Sequence, residues 1–423
     1  MKRTVTLILA LFLLLPLAGA QEPVSFLQLA GKVLDGATGK PLHYASVNLS
    51  GTNVSNVTNA EGVFTLKVST ATPPTLLVTV SHLSYATATL KVADFQGYTL
   101  DNPLEIKLYP VSLSLSPALI RAHDPEQLML AALFRIKQNY PDKHVGMTAF
   151  YREMVRKGNT KYLTMNEAVV DIDKAPYTGF QNDRVGIYKG RGSQNYDSSD
   201  TLFVKYQGGV TTILEIDQAK NPFATVNMSD IGKYYDFTME DVEYLDNRMF
   251  YVVSFNQKPY LDQILMRGRA YIDSESLAFG RVELNMNVEG QEDAANIFIL
   301  KKPQDTRFEV KSAQYIINYK PLEDGKWYYD YARMEMKFET RKKRSLFRHH
   351  YTVMSEIAVT DHLPAPRKIE GEARMRFRDQ LTEKVSAFTD ANFWEGYNVI
   401  EPDAQIEAII RKIVRQLKKH NLE

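Results

Sequence analysis

The chain has 423 residues, 51 Lys and Arg against 50 Asp and Glu, and no cysteine. So even a charge balance argues against nucleic acid as a partner, which asks for a strong basic excess. The absence of thiols excludes disulfides, thiolate metal sites and acylation of a cysteine after an export signal. A chain of this length without cross-links must be held by its hydrophobic core, and it has room for two or three domains.

Residues 1–20 read as a cleaved export signal. Lys2 and Arg3 give a positive start, Thr6 to Leu17 form an apolar run, and Ala18-Gly19-Ala20 supply the small residues a signal peptidase needs. The run is shorter than the roughly 20 residues of a membrane helix, so removal rather than anchoring is expected, leaving Gln21 first. Without Lys2 and Arg3 the balance becomes 49 basic against 50 acidic residues. Later apolar runs are short and interrupted by charge, so no membrane span is expected after cleavage.

Residues 21–110 read as a small β-sandwich. Asp35-Gly36, Thr38-Gly39-Lys40-Pro41 and Asn59-Ala60-Glu61-Gly62 are turn chemistry, because Gly admits positive φ and Pro pre-sets a bend. Ala45, Val47 and Leu49 alternate with polar residues, as do Phe64, Leu66 and Val68. Further strands are expected at Leu76 to His82, Ala86 to Val92 and Leu104 to Tyr109. Gly31-Lys32-Val33, Asp35, Thr38 to Leu42, Ala45-Ser46-Val47 and Thr58 to Phe64 together resemble the carboxypeptidase regulatory-like domain. That family is a transthyretin-like β-sandwich of bacterial envelope proteins, common in the Bacteroidetes. The resemblance implies a fold and a cell-envelope setting; the domain has no activity of its own.

Residues 111–147 read as a linker and a helix. Ser116-Pro117 closes the linker, Asp124 is placed to cap, and Pro125 suits the first helical position, with Gln127 completing a box-like pair. Met129, Ala132, Leu133, Ile136 and Tyr140 make one apolar stripe directed at the next domain, and Pro141 stops the helix.

Residues 148–423 read as a larger antiparallel β domain with a C-terminal helix. Tyr244 to Arg248 is a tight turn, and Val282 to Val288 and Met334 to Phe338 alternate apolar with polar or charged residues. The run Arg341-Lys342-Lys343-Arg344 reads as a solvated hairpin turn, with contact to an anionic surface as the alternative. Phe250 to Phe255, Gly268 to Asp273, Leu277-Ala278 and Arg281-Val282-Glu283 resemble the half-barrel of periplasmic lipoprotein carriers, which implies a sheet able to hold an acyl chain. Ala149 to Glu153, Glu167-Ala168-Val169 and Phe393 to Asn398 resemble other Bacteroidetes envelope proteins that carry the same N-terminal domain. Ile406, Ile409, Ile410, Ile413, Val414 and Leu417 form a helical stripe after Pro402 and Asp403, expected to dock on the sheet over Val282 to Val288 and Met334 to Phe338. Membrane-surface or partner binding is the alternative for that helix.

Chemistry-bearing motifs are sparse. His123-Asp124-Pro125-Glu126 has the HxxE spacing of zinc carboxypeptidases, but Glu126 falls in the first turn of the capped helix and no α/β pattern follows. His349-His350 opens an alternating strand, which sends the two rings to opposite faces. Trp327, Tyr328, Tyr329 and Tyr331, and the run Lys233 to Phe237, offer aromatic surface for a sugar or lipid, although strands favour aromatics anyway. Asp200-Thr201-Leu202 fits a short O-glycosylation pattern. No catalytic, cofactor-binding or metal residue is singled out, and no cofactor is expected. The expectation is a mainly β, non-catalytic envelope protein at the periplasm or outer membrane that binds or scaffolds an envelope protein. A periplasmic carrier of a lipid or other apolar ligand is the alternative, and a zinc carboxypeptidase-type enzyme a distant third.

Overall fold

Asp35 shows how the N-terminal turns form. Its Oδ1 accepts from the Ala37 and Thr38 amides at 2.7 and 3.0 Å, and Gly39 completes the bend at φ 70°. Asn59 does the same for the next turn, accepting from the Glu61 and Val63 amides at 2.9 Å each, with Gly62 at φ 74°. These are residues of a computed structural model that describes 26–111, 124–158, 161–194, 205–206, 209–223, 230–301, 304–377, 379–386 and 393–420. The expected signal at 1–20, nearly all of the linker, His123 and Asp200-Thr201-Leu202 lie outside those residues.

The turns join β1 (Phe26–Asp35), β2 (Ser46–Leu49), β3 (Ser55–Val57), β4 (Val63–Ser69), β5 (Leu77–Ser81), β6 (Ala88–Lys91) and β7 (Leu104–Leu108). One sheet has the order β4-β1-β7 and the other β3-β2-β5-β6. Their inner faces share a core of Val33, Val47, Phe64, Leu66, Val80 and Ile106, all buried. That is the expected sandwich. The strand β3, too short to show an alternation, was not apparent in the sequence.

Asp124 caps α1 (Pro125–Phe134) by accepting from the Glu126 and Gln127 amides, with Pro125 in the first turn. The short α2 (Ile136–Asn139) continues it, and the stripe from Met129 to Tyr140 is buried against the second unit as expected.

The second unit comprises β8 (Val145–Lys157), β9 (Lys161–Lys174), β10 (Arg184–Gln194), β11 (Lys205–Tyr206), β12 (Tyr235–Leu245), β13 (Arg248–Gln257), β14 (Met266–Asp273), β15 (Phe279–Met286), β16 (Ile299–Lys301), β17 (Thr306–Pro321), β18 (Trp327–Lys342), β19 (His349–Leu363) and β20 (Arg374–Met375). Eleven of them form one sheet in the order β12-β13-β14-β15-β17-β18-β19-β8-β9-β10-β20, while β11 and β16 pair separately. Every pairing within the large sheet is antiparallel. β12 and β20 are its edges, so the sheet does not close into a barrel. The first strand, β8, lies beside the last long one, β19, with Met154 opposite Met354.

Alternation gives this sheet two different faces. Met147, Ala149 and Tyr151 of β8 point to one side, Phe150, Arg152 and Met154 to the other. The first side is covered by α1, α2, α3 (Val210–Glu215), α4 (Ile231–Tyr234) and α5 (Ala294–Phe298). Val282, Leu284, Val288, Met334, Met336 and Phe338 are buried there, in one continuous core with side chains of these helices. The second side carries the sandwich, the segment 393–402 and the C-terminal helix α6 (Ala404–His420).

The helix α6 therefore docks on the sheet, but on the opposite face from the one expected. Ile406, Ile409 and Ile413 bury against Met154, Tyr162, Met165 and Met354, with Ile410 and Val414 partly buried. The face over Val282 to Val288 and Met334 to Phe338 is already taken by the helices between β7 and β17. The chain entering α6 is also held on the second side, where the Arg152 guanidinium donates to the Ile400 carbonyl at 2.8 Å. Asp403 then caps the helix through the Ile406 amide at 2.8 Å.

Candidate functional site

Two places bring charged and polar side chains together under cover. The first lies where β9 ends. Lys174 there reaches Asp183 Oδ2 and Asp217 Oδ2, both at 2.7 Å. Lys220 reaches Asp183 Oδ1 at 2.7 Å, and the Tyr319 hydroxyl donates to Asp217 Oδ1 at 2.7 Å. The Lys174 ammonium also sits over the rings of Tyr177 and Tyr329, 5.3 and 5.1 Å from their centroids.

Burial opposes the Lys174 charge, yet Asp183 and Asp217 outweigh it and hold the amine above the usual lysine range. Burial also opposes ionisation of Asp183, but the two lysines hold its carboxyl below the usual range. Lys220 is lowered by burial, only partly offset by Asp183. Above this floor opens a cleft of about 690 Å³ bounded by Tyr177, Phe180, Glu215, Lys220 and Arg374. Burial, and then the Asp183 charge, raise the Glu215 carboxyl. Both lysines are already committed to carboxylates, so the floor ties the β9–β10 connection to the Asp217–Lys220 turn and to β17. It is suited to fixing the shape of the cleft rather than to moving a proton.

The second place is the seam between sandwich and sheet. Arg152 is buried and donates to Glu167 Oε1 at 2.8 Å, to Glu356 Oε1 at 3.1 Å and to the Ile400 carbonyl at 2.8 Å. Arg191 meets the other Glu167 oxygen at 2.8 Å and Arg333 the other Glu356 oxygen at 3.3 Å. Tyr44 of the sandwich stacks on Tyr331 at 5.3 Å, and Arg333 lies over the Tyr44 ring. Asn53 and Ser55 donate to the His362 and Val359 carbonyls at 2.9 and 3.0 Å. Lys320 bridges Ser55 and Asp330, each at 2.8 Å. A cleft of about 210 Å³ beside this seam is bounded by His82, Asp246, Arg248, Arg281 and Trp327.

Of the residues singled out from sequence, Tyr331 joins the seam and Trp327 borders the cleft beside it, while the rest go elsewhere. Trp327, Tyr329 and Tyr331 are buried in the two cores of the sheet, and Tyr328 is engaged by Asp324 at 2.6 Å. Tyr235 packs with Phe223, Phe237 and Phe255, while Lys233 pairs with Asp230. Glu126 lies against Gly232 on α4. His349 and His350 are exposed, and His350 meets Glu339 at 3.2 Å. Among the described residues no three His, Asp or Glu side chains are placed to hold one metal ion. The lysine–aspartate floor was not visible in the sequence. Its members are spread from 174 to 220, and only the Asp217 to Lys220 turn hints at it.

Residues 29–113 match a family model described as the CarboxypepD_reg-like domain, a fifth of the chain. No curated protein matches the sequence. Among solved structures, a DUF1329 family protein from Desulfovibrio piger is 13% identical, covering 56% of this chain and 94% of its own, at a TM-score of 0.21. A LolA superfamily protein from Nitrosomonas europaea is 9% identical, covering 60% and 99%, at 0.23. MucB is 12% identical, covering 54% and 92%, at 0.19. Scores of this size describe partial superpositions and transfer nothing to this chain.

Proposed function

We propose that this protein is a non-catalytic binding or scaffold protein of the cell envelope, exported through the signal at 1–20 and working at the periplasm or outer membrane. The observation that supports this most is the filled helix-covered face of the large sheet. A carrier of apolar cargo needs an apolar space left free by its own side chains. Here Met334, Met336 and Phe338 are buried beneath the protein's own helices. Burying such side chains stabilises the fold by roughly 2 kcal/mol each, which an open groove would forgo. The seam supports the same reading, because it joins sandwich and sheet into one platform with two clefts of mixed polar and apolar lining on its surface.

Titration of an environment-sensitive fatty-acid probe into the purified protein tests this. We expect no saturable signal at micromolar concentrations. Saturable binding that disappears in a folded Met286→Arg variant would replace the scaffold reading with that of a periplasmic lipid carrier.

A further inference from the structure

The turn between β18 and β19 joins two features that a water-facing loop ordinarily keeps apart. Leu346 is 96% exposed and Phe347 76% exposed. On either side, Arg341, Lys342, Lys343, Arg344 and Arg348 are all exposed. Among the described residues no ion pair engages Arg341, Lys342, Lys343 or Arg344, while the carboxylates beside them are met by other cations: Glu339 by Arg348 at 3.1 Å and His350 at 3.2 Å, Glu309 by Lys311 and Glu292 by Arg307. The turn is held in place. The Lys343 amide donates to the Asp305 carbonyl at 2.8 Å, the Ser345 amide to the Lys342 carbonyl at 2.9 Å, and the Phe347 amide to Ser345 Oγ at 3.1 Å. The β8–β9 pair ends at the same end of the strands, with Lys157 opposite Lys161.

We propose that this turn docks the protein on an anionic phospholipid bilayer, with Leu346 and Phe347 entering the headgroup layer and the flanking Lys and Arg meeting lipid phosphates. The inference goes beyond the binding or scaffold reading and stands without it. Charge complementarity selects an anionic surface. The two large apolar side chains at the tip select a soft one, because a rigid polyanion would use the cations and leave Leu346 and Phe347 in water. Long Lys and Arg stems lie along the apolar boundary while their heads reach the phosphates, so the two side-chain types act together.

Vesicle flotation of the exported protein tests the proposal, with phosphatidylglycerol-rich against pure phosphatidylcholine vesicles. Binding to the first is expected, weakening as salt rises. The double variant Leu346→Ser/Phe347→Ser should bind about tenfold less with an unchanged thermal melt. Lys342→Glu/Lys343→Glu should lose the preference for the anionic lipid. In Phe347→Trp, tryptophan emission should shift to the blue on binding and be quenched by brominated acyl chains. Equal binding to both vesicle types would overturn the proposal. Binding that survives Leu346→Ser/Phe347→Ser, or that heparin matches in strength, would also overturn it and mark a polyanion or acidic-protein contact.

Discussion

Arg152 lies between Glu167 and Glu356 with almost no solvent contact, so its charge is held by those two partners, by the Ile400 carbonyl and by the face of the Phe150 ring. Burial alone would raise the Glu167 carboxyl, but Arg152 and Arg191 outweigh it and hold it below the usual range. A depressed carboxyl contributes stability that is present above its unfolded value and lost as pH falls through the folded one. Arg152→Met should therefore cost about 3–5 kcal/mol near neutral pH. That cost should shrink as pH drops through the carboxylate range, which urea denaturation at several pH values would read. Glu153 is the opposite case. Burial raises it, and the hydrogen bonds from Asn166 and Tyr151 only partly compensate. Its folded state is penalised once it ionises, so stability is lost as pH rises through the raised value. Glu153→Gln should be more stable than the parent above that value, by on the order of 1 kcal/mol, and no more stable well below it. At this scale the sequence was least legible. Arg152 and Glu167 stand in readable strands, yet nothing in their spacing shows that they meet. The aromatic run at 327–331 left ligand and structural use open. Trp327 and Tyr329 turn into the helix-covered core and, past a bulge at Asp330, Tyr331 turns to the sandwich side, so all three are buried because both faces are covered.

Strands and helices were far easier to read than their neighbours. Period-2 patterns placed β15 and β18, and the turn at Asp246-Asn247, with both residues at positive φ, joins β12 to β13 where the tight turn was expected. The stripe of α6 correctly announced a docked helix. Its face was misjudged because periodicity records which side of an element is apolar and not which partner meets it. The partner depends on where the preceding chain is fastened, and residues 393–402 are fastened on the sandwich side. Ile413 is fully buried beneath α6. Ile413→Ala should cost about 3 kcal/mol if the helix stays docked. If the helix detaches instead, limited proteolysis should cut between Pro402 and residue 420 in the variant and spare the parent. A parent already cut there would contradict the docking.

At the level of the whole molecule, the domain scheme of 21–110, 111–147 and 148–423 is a proposal that makes a measurable claim. The sandwich has its own core and meets the sheet through a seam with many polar contacts, so the fragment 21–115 should unfold cooperatively as a β-rich unit. It should be less stable than the same strands in the full chain, since Tyr44, Asn53 and Ser55 lose their partners across the seam. Circular dichroism of the fragment checks this, and a disordered fragment would move the boundary.

Segment 393–402 lies along the seam, and its contacts set an order in time. Asn398 pairs with the backbone of Lys67 in both directions, at 2.7 and 3.1 Å, as an extra strand would. Asn56 holds the Val399 carbonyl at 2.9 Å, and Arg152 the Ile400 carbonyl. β8 likewise finds its neighbour β19 only after some two hundred residues of further synthesis. While the chain emerges, the sandwich can close early, but the large sheet must wait for its own far end. The join between them begins with β17 to β19, through Tyr331, His362 and Lys320, and is completed only when residues 393–402 have been made. A ribosome or export channel that releases the chain before residue 393 would deliver two units held by only part of their seam.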